Sequence, residues 1–467
     1  MMFTQFFFDD QRLFGRENLR RVYGTPELLA EYFDGEFSTD YHTGYAFRLA
    51  DGRVRLLYYG KSIKTKRGAF LSAISGDGVH FVPEDLSATV DLPNRQAAHE
   101  VFPGGGGEVA AVYEDANAEP RERYKLLFTE CRNMRVDGTL WASPDLLHWS
   151  QVETKDEWND GCEPVTGIFR NPLCPDTTTI LRRPAWGDRR VGYSDTKDFR
   201  TFTEYAPCMR ADALDAPLDE LYGCPSFAYG GLAVGFPHIY AQNLSCHNTK
   251  YTGGCIYPQF AYSFDGHYWI RSLREPFFKD VPLTGTMTWL GSVLTRENDI
   301  LLYTAHTPNE HGNAFAHPAQ GRIRIYRLRR DGFVGLRADS GTGTVITREF
   351  AHNGGEISLN LTAKRATCAV YLSDLLENSD ANVLGKSFPL AGYTHEDCVP
   401  FTGDCNSWTP VFRGGTLDAL RGKTLIFDIR IEDGTLYSLT ADALPLMNTE
   451  AARYRVGKSV RGNTVGK

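Results

Sequence analysis

No stretch of the chain comes near the roughly 18 apolar residues in a row that a membrane-spanning helix requires, which excludes a helical membrane anchor within these 467 residues. The opening MMFTQFFFDDQRLF has only Phe6, Phe7 and Phe8 as an apolar run, with acids directly after, and lacks the basic flank and cleavage site of a signal peptide. A cytoplasmic protein without a membrane partner is the expectation. Clustered positive charge is missing too. With 50 Lys and Arg against 58 Asp and Glu, the formal charge is −8, so the basic face that binds phosphate backbones is absent and no nucleic-acid partner is expected. The one basic stretch, RYRVGKSVRGNTVGK at 453–467, has no apolar periodicity and reads, from 448 on, as a tail. The ten cysteines stand singly, without CxxC pairs or zinc-like His spacing, so reduced buried thiols are expected, Cys398 and Cys405 being the best placed to pair. There is no EF-hand-like loop and no HExxH, so neither metal nor cofactor is expected. GGGG at 104–107 lacks the Lys-Ser/Thr of a phosphate loop and reads as a hairpin tip.

What is abundant points the other way. The chain has 45 Gly, 23 Tyr and 28 Phe, a bias toward short strands joined by tight turns, hence an all-β protein. One phrase recurs: ISGDGVHFV at 74–82, ASPDLLHWS at 142–150, YSDTKDFRTF at 193–202 and YSFDGHYWI at 262–270. Aligned on Ser75, Ser143, Ser194 and Ser263, the copies are 68, 51 and 69 residues apart, spacings that suit propeller blades with inserted loops. In each, Asp and Gly would make a turn between the two outer strands of a blade, and the aromatic ring would seal the joint with the next blade.

Alternating apolar runs precede each copy, as in TGYAFRL, VRLLYYG and AFLSAIS (43–75), and EVAAVYE, RYKLLFTE and GTLWASP (108–144). The third unit has TTTILRRP and RRVGYSD (177–195), the fourth SFAYGGLAVGFPHIY with QFAYSFDG (226–266). A fifth, from TWLGSVLTRENDILLYTAHT (288–307) to GRIRIYRLRRDGFVGL (321–336), ends in a worn Arg-Asp-Gly-Phe copy. The expected architecture is a five-bladed β-propeller over 1–338. RADSGTGT (337–344) reads as a linker, and four alternating stretches without the repeat, EISLNLT, TCAVYLSD, TLIFDIRI and TLYSLTAD, predict a β-sandwich over 339–447.

The first strand of every blade lines the central channel, so polar residues at those strand starts converge. They are Asp40 and His42 in FSTDYHTGY, His99 and Glu100 in AAHEVF, Glu163 and Arg170 in GCEPVTGIFR, and Asp219, Glu220 and Tyr222 in DELYGCPSF. Trp289 stands at the fifth, with His306 and His311 beside a Pro-Asn loop. Several carboxylates around one pocket suit glycosidic cleavage, where one attacks or activates water and another protonates the leaving oxygen. Each has a structural alternative: Asp40 as a turn cap, Glu163 in an ion pair with Arg170 or Arg183, Asp219 and Glu220 as loop caps, Tyr222 and Trp289 as core aromatics, His238 as an interior histidine. Alternation lets only one of His99 and Glu100 face the channel.

At these residues the chain resembles the five-bladed propeller glycosidases, the β-fructosidases and their arabinanase-like relatives. TDYHTGYAFRLADGRVRLLYYG follows the layout of the β-fructosidase blade-one motif, so the resemblance implies a nucleophile at Asp40. EPVTGIF opens blade three as that family's acid/base segment does, which implies the acid/base role for Glu163, although Cys162 precedes it instead of following. The family's Arg-Asp-Pro of blade two is missing, and AAHEVF leaves His99 or Glu100 as substitutes. The catalytic candidates are therefore Asp40, Glu163 and Glu100. The substrate-binding candidates are His42, His99, Arg170, Asp219, Tyr222, Trp289 and His306.

The expected function is a glycosidase acting on a small oligosaccharide or glycoside, with furanosides favoured. Its partner would be a small carbohydrate, and a homo-oligomer is compatible with the sequence. Two alternatives stand beside it: a phosphorylase using Arg170, Arg182 or Arg183 to hold phosphate, and a carbohydrate-binding propeller without turnover.

Overall fold

The computed structural model describes residues 2–39, 44–102, 109–132, 135–155, 163–184, 188–242, 253–283, 285–311, 321–372 and 388–446. Apart from two short 3-10 turns, their regular elements are all strands. The chain divides into two compact units, Thr25–Leu328 and Met1–Gly24 with Arg329–Lys467.

The Thr25–Leu328 unit has a propeller-like arrangement of up-and-down sheets. Three follow the expected meanders: Gly44–Arg48, Val54–Ser62, Gly68–Ser75 and Val82–Pro83; then Val109–Glu114, Tyr124–Arg132, Arg135–Ser143 and Ser150–Val152; then Glu163–Arg170, Thr178–Arg183, Val191–Thr196 and Ala206–Met209. A fourth is completed from the other end of the unit. Met287–Thr295, Asp299–Thr307 and Arg322–Arg329 take Glu27–Tyr32 as their outer strand, Ile323 lying opposite Tyr32. The Arg-Asp-Gly-Phe stretch therefore does not turn into a last outer strand. Gly332 donates its N–H to the Arg329 carbonyl in a turn within the other unit, and the chain continues into a strand from Val334.

The fourth sequence unit departs most from expectation. Ser226–Tyr229, Leu232–Gly235 and Ala261–Ser263 form a three-stranded sheet, while His238–Gln242 leaves it to pair with Asp219–Gly223 and Gly254–Pro258. Pro237 accounts for the break. It has no N–H to extend the ladder past Gly235, so the run read as one strand changes sheets there.

The recurring phrase is the turn between third and fourth strands. In its first copy the Ser75 hydroxyl donates to Asp77 Oδ1 at 2.8 Å and accepts the Gly78 N–H at 2.9 Å, while Asp77 Oδ1 accepts the N–H groups of Val79 and His80 at 2.8 and 2.9 Å. Asp145 holds Leu147 and His148 in the same way, at 2.9 Å each, and Asp265 holds His267 and Tyr268 at 2.8 Å each. In the third copy the hydroxyl is not Ser194 but Thr196, two residues later, and Asp198 accepts from Arg200 and Thr201. The residue after each Asp lies at positive φ: Gly78 at 77°, Leu146 at 70°, Phe199 at 55°, Gly266 at 80°. Rings in the turns pack against the neighbouring sheets, Phe81 on Tyr303 and Trp269 on Phe169, and the Tyr303 hydroxyl donates to the Gly78 carbonyl at 2.8 Å.

The second unit differs from its expectation in extent. Its strands join in one eight-stranded hydrogen-bonded sheet. Met2–Phe6 pairs with Thr424–Pro445, and Leu13–Glu17 and Arg20–Tyr23 pair with Val334–Thr347, so the first residues of the chain belong here and not with 25–328. The stretch 337–344 is no linker. It lies inside the strand Val334–Thr347, where a Cβ on Gly343 would come within 2.4 Å of Leu19 Cδ2. The four expected strands run together into two long ones, Phe350–Leu372 and Thr424–Pro445. Phe7, Leu336, Val345, Leu359, Val370, Phe427 and Leu439 sit in its apolar core. Cys398 and Cys405 are free thiols, as are Cys174, Cys208, Cys224, Cys255 and Cys368.

Candidate functional site

Five strands of the first unit contribute to one cavity. A cavity of about 240 Å3 is lined by side chains of Gly44–Arg48, Val109–Glu114, Glu163–Arg170, Ser226–Tyr229 and Met287–Thr295. Ser292 ties two of them together. Its hydroxyl donates to the Gly44 carbonyl at 2.8 Å and accepts the Ala46 N–H at 3.0 Å.

At the end where these strands begin, a polar and aromatic cluster gathers around Tyr222. Glu163 is the first residue of its strand and stands opposite Arg183 in the register. The Arg183 guanidinium lies over the Tyr222 ring at 4.2 Å from its centroid, and Arg189 is 5.5 Å from the same centroid. Trp289 meets Tyr222 edge-on at 5.1 Å. The Tyr222 hydroxyl shares a 3.1 Å hydrogen bond with His311 Nε2. Burial and the nearby charges of Arg189 and Arg183 push the His311 imidazole down to about 4, so it is neutral at pH 7. Arg189 is held by Glu220, its Nη1 donating to Oε2 at 2.6 Å, and Gln242 donates to the same oxygen at 2.8 Å. The strand Asp219–Gly223 pairs with His238–Gln242 and brings Tyr222, Glu220 and Tyr240 to this place. Cation–π contact, edge-on rings and a neutral imidazole pack into one largely buried aromatic and basic cluster.

His99 and Glu100 part company, His99 lying in a turn that the Glu100 N–H closes on the Ala97 carbonyl at 3.1 Å and Glu100 opening the strand Glu100–Phe102. His99 Nε2 lies 3.1 Å from Asp34 Oδ2, and Asp34 also accepts the Tyr58 hydroxyl at 2.6 Å and the N–H groups of Glu36 and Phe37 at 2.8 and 2.7 Å. Burial alone would raise the Asp34 carboxyl, but hydrogen bonds from His99, Tyr58 and the two amides hold it below its ordinary value. Glu100 accepts the Gln96 N–H at 2.5 Å, and burial keeps its carboxyl above the ordinary range despite that bond and the charges of Arg95 and Arg67.

Other candidates are placed elsewhere. Arg170 sits at the other end of the Glu163–Arg170 strand, seven residues and about 20 Å along it, where it lines the cavity and its Nη2 donates to Asp115 at 2.6 Å. Asp219 caps its own turn, accepting the Ala216 N–H at 3.3 Å, and burial raises its carboxyl. His306 shares a 3.0 Å hydrogen bond with Thr288 and is pushed down to about 4, chiefly by burial. His238 is the interior histidine expected, its Nε2 accepting the Leu290 N–H at 3.1 Å. Arg182 is fully buried near the Tyr205 ring. Asp40 and His42 lie outside the described residues, as do the GGGG stretch and the 448–467 tail; for Glu163 the backbone is described.

Asp34, Arg189 and Tyr240 escaped the sequence reading. Asp34 carries a faint signal in Phe-Asp-Gly before an apolar strand, but nothing local announces that its partner is His99, 65 residues on. Among the described residues no group of three or more His, Cys, Asp or Glu could hold a metal ion.

No family model matches the sequence, and no curated protein does. Among solved structures, the chain is similar to a glycosyl hydrolase from Bacteroides ovatus at 14% identity, over 65% of this chain and 94% of that one, with a TM-score of 0.44. It is similar to a protein from work on the GH130 family of mannoside phosphorylases, which contains glycoside hydrolases that target β-1,2 mannosidic linkages in Candida mannan, at 15% identity over 66% and 94% and a TM-score of 0.44. A third is an N-acetylgalactosamine deacetylase from F. plautii in complex with blood group B trisaccharide, at 12% identity over 68% and 97% and a TM-score of 0.41. At such identities and TM-scores no residue role or activity passes from them to this chain.

Proposed function

We propose that the Thr25–Leu328 unit is a glycoside-cleaving enzyme built as a five-bladed propeller, the three-stranded sheet counting as its fourth blade. The second unit is then an accessory β-sandwich. The active site lies at the end of the channel where the Glu163–Arg170 strand begins. One observation carries the reading: Tyr222, Trp289, Arg183 and His311 gather beside the backbone position of Glu163, a stacking and hydrogen-bonding surface next to a candidate acid. Glu163 protonates the departing oxygen. Asp40 attacks the anomeric carbon or activates water. Glu100, a buried carboxylate held above its ordinary range, is the third acid of the site. The substrate is a small oligosaccharide or glycoside, a furanoside by the resemblance of the first motif.

A phosphorylase is the second reading, favoured by two guanidinium groups over one ring. Arg183 and Arg189 would hold the phosphate that replaces water.

Nitrophenyl furanosides and pyranosides, then fructo- and arabino-oligosaccharides, with and without inorganic phosphate, test both. Release of free sugar without phosphate supports hydrolysis; phosphate-dependent release of a sugar 1-phosphate supports the second reading. Turnover that survives both Asp40→Asn and Glu163→Gln overturns the site, and no turnover of any of these substrates overturns the enzyme.

A further inference from the structure

The second unit carries a polar pocket that the proposed chemistry of the first does not use. A cavity of about 220 Å3 opens beside the strands Val334–Thr347, Phe350–Leu372 and Thr424–Pro445, lined by Thr342, Thr367, Arg365, Arg430, Glu432 and the turn residues His395 and Glu396. Strand register explains the gathering. Arg365 lies opposite Glu432 and Thr367 opposite Arg430, while Thr342 lies opposite Glu432 on its other flank. Alternate residues of neighbouring strands share a face.

The floor is dry and the rim is wet. Thr367 and Asp428 are 3% and 5% exposed, whereas the Arg365 and Arg430 side chains are about half-exposed. On the floor, His395 Nδ1 shares a 3.0 Å hydrogen bond with Thr367. His395 Nε2 is 3.2 Å from Asp428 Oδ2 but out of line for a hydrogen bond, and neither that nitrogen nor Asp428 Oδ1 has a hydrogen-bond partner in the protein. Buried polar atoms left so are costly, and here they border a cavity. At the rim, Arg365 is 3.6 Å from Glu432 and Arg430 is 3.7 Å from Asp428, too long for hydrogen bonds. Both forks keep donors to offer.

The charges decide the ligand class. Arg365 and Arg430 offset Glu396 and Glu432, and Asp428 lies beneath, so a free anion meets three carboxylates and a cation meets two guanidinium groups. A neutral ligand rich in hydroxyls suits the lining, because each hydroxyl both donates and accepts. The volume lies below the ~300–1,000 Å3 of drug-sized sites and suits one ring. We propose that this pocket binds a single neutral sugar residue, a carbohydrate site distinct from that of the first unit and resting on its own residues.

Saturation-transfer NMR on the full chain, with glucose, galactose, mannose, arabinose and fructose in turn, tests this. The expected result is a transfer signal from at least one sugar, with affinity cut roughly tenfold or more by R430Q and by R365Q and unchanged by E163Q. No signal from any of the five overturns the proposal, as does an affinity that both arginine variants leave intact. Loss of affinity in E163Q alone assigns the signal to the first unit and overturns it as well. Competition by inorganic phosphate or acetate would show an anion site and overturn the ligand class. Both arginines stand at the rim, so the variants should keep the circular dichroism melt of the parent, and either one that folds suffices.

Discussion

The two ends of the strand Glu163–Arg170 present the same kinds of residue in opposite states. At its far end Arg170 is closed off by Asp115, the two charges satisfying each other in a half-buried ion pair. At its start Arg183 lies across the Tyr222 ring, and the histidine beside it is held neutral by burial and by the arginines themselves. An arginine locked to a carboxylate is a strut. An arginine spread on an aromatic face, beside a neutral imidazole and a second guanidinium, belongs to a cationic and aromatic cluster at the start of the strand. Chemistry is therefore expected at one end and stability at the other.

The sharpest break of that comparison is kinetic. Glu163→Gln should lower kcat on any hydrolysed glycoside by 10²-fold or more, the usual range for a lost general acid being about 10²–10⁴, whereas Arg170→Gln should leave kcat within about twofold and lower Tm; equal kinetic losses would erase the distinction. Next in size is the buried acid missed by the sequence reading. Asp34→Ala strips an acceptor from His99, Tyr58 and two backbone amides, and should cost about 3 kcal/mol in urea unfolding, since each stranded buried donor costs about 1–3 kcal/mol. A loss below about 1 kcal/mol would mean the network relaxes around it.

Acid should weaken the first unit in a defined window. His306 and His311 are pushed to about 4 and His238 to about 3, each below the ~6.5 of an unfolded chain. The unfolded state then binds more protons, so their stabilisation is complete above about pH 6.5 and declines as pH falls toward 4, by up to about 1.4 kcal/mol per pH unit for each histidine. A flat melting temperature from pH 7 to pH 5 would contradict the burial of all three. Smaller again, Asp145→Ala removes the acceptor for Leu147 and His148 and should cost about 1–2 kcal/mol. Smallest, Tyr222→Phe loses the hydroxyl bond to His311 and the hydroxyl's interaction with Arg183, about 1 kcal/mol, and should raise KM more than it lowers kcat if the ring serves binding.

Much of the architecture was legible because it is local. The Ser-x-Asp phrase folds through contacts within three residues, so each copy could be recognised as a turn from its letters, and strand alternation before it follows from the same short range. The reading failed where a partner is remote. Ser194 looked equivalent to Ser75, but Thr196 makes the contact, because the turn is set by the distance to Asp198. The stretch 337–344 looked like a linker by composition, yet Thr342, Gly343 and Thr344 find strand partners at Glu432, Ile431 and Arg430, some ninety residues away. Likewise Pro237 was visible, but not that the chain would change sheets there.

What the sequence determined by itself is the all-β character, the repeated turn and the set of acids and aromatics at strand starts, all encoded in hydrogen bonds and side-chain alternation over a few residues. What only the tertiary structure decided is which charges are spent on each other. Arg170 and Arg183 are thirteen positions apart and alike on paper, and whether a guanidinium meets Asp115 or the Tyr222 ring depends on neighbouring sheets brought together over tens of residues, a distance at which no local pattern carries information.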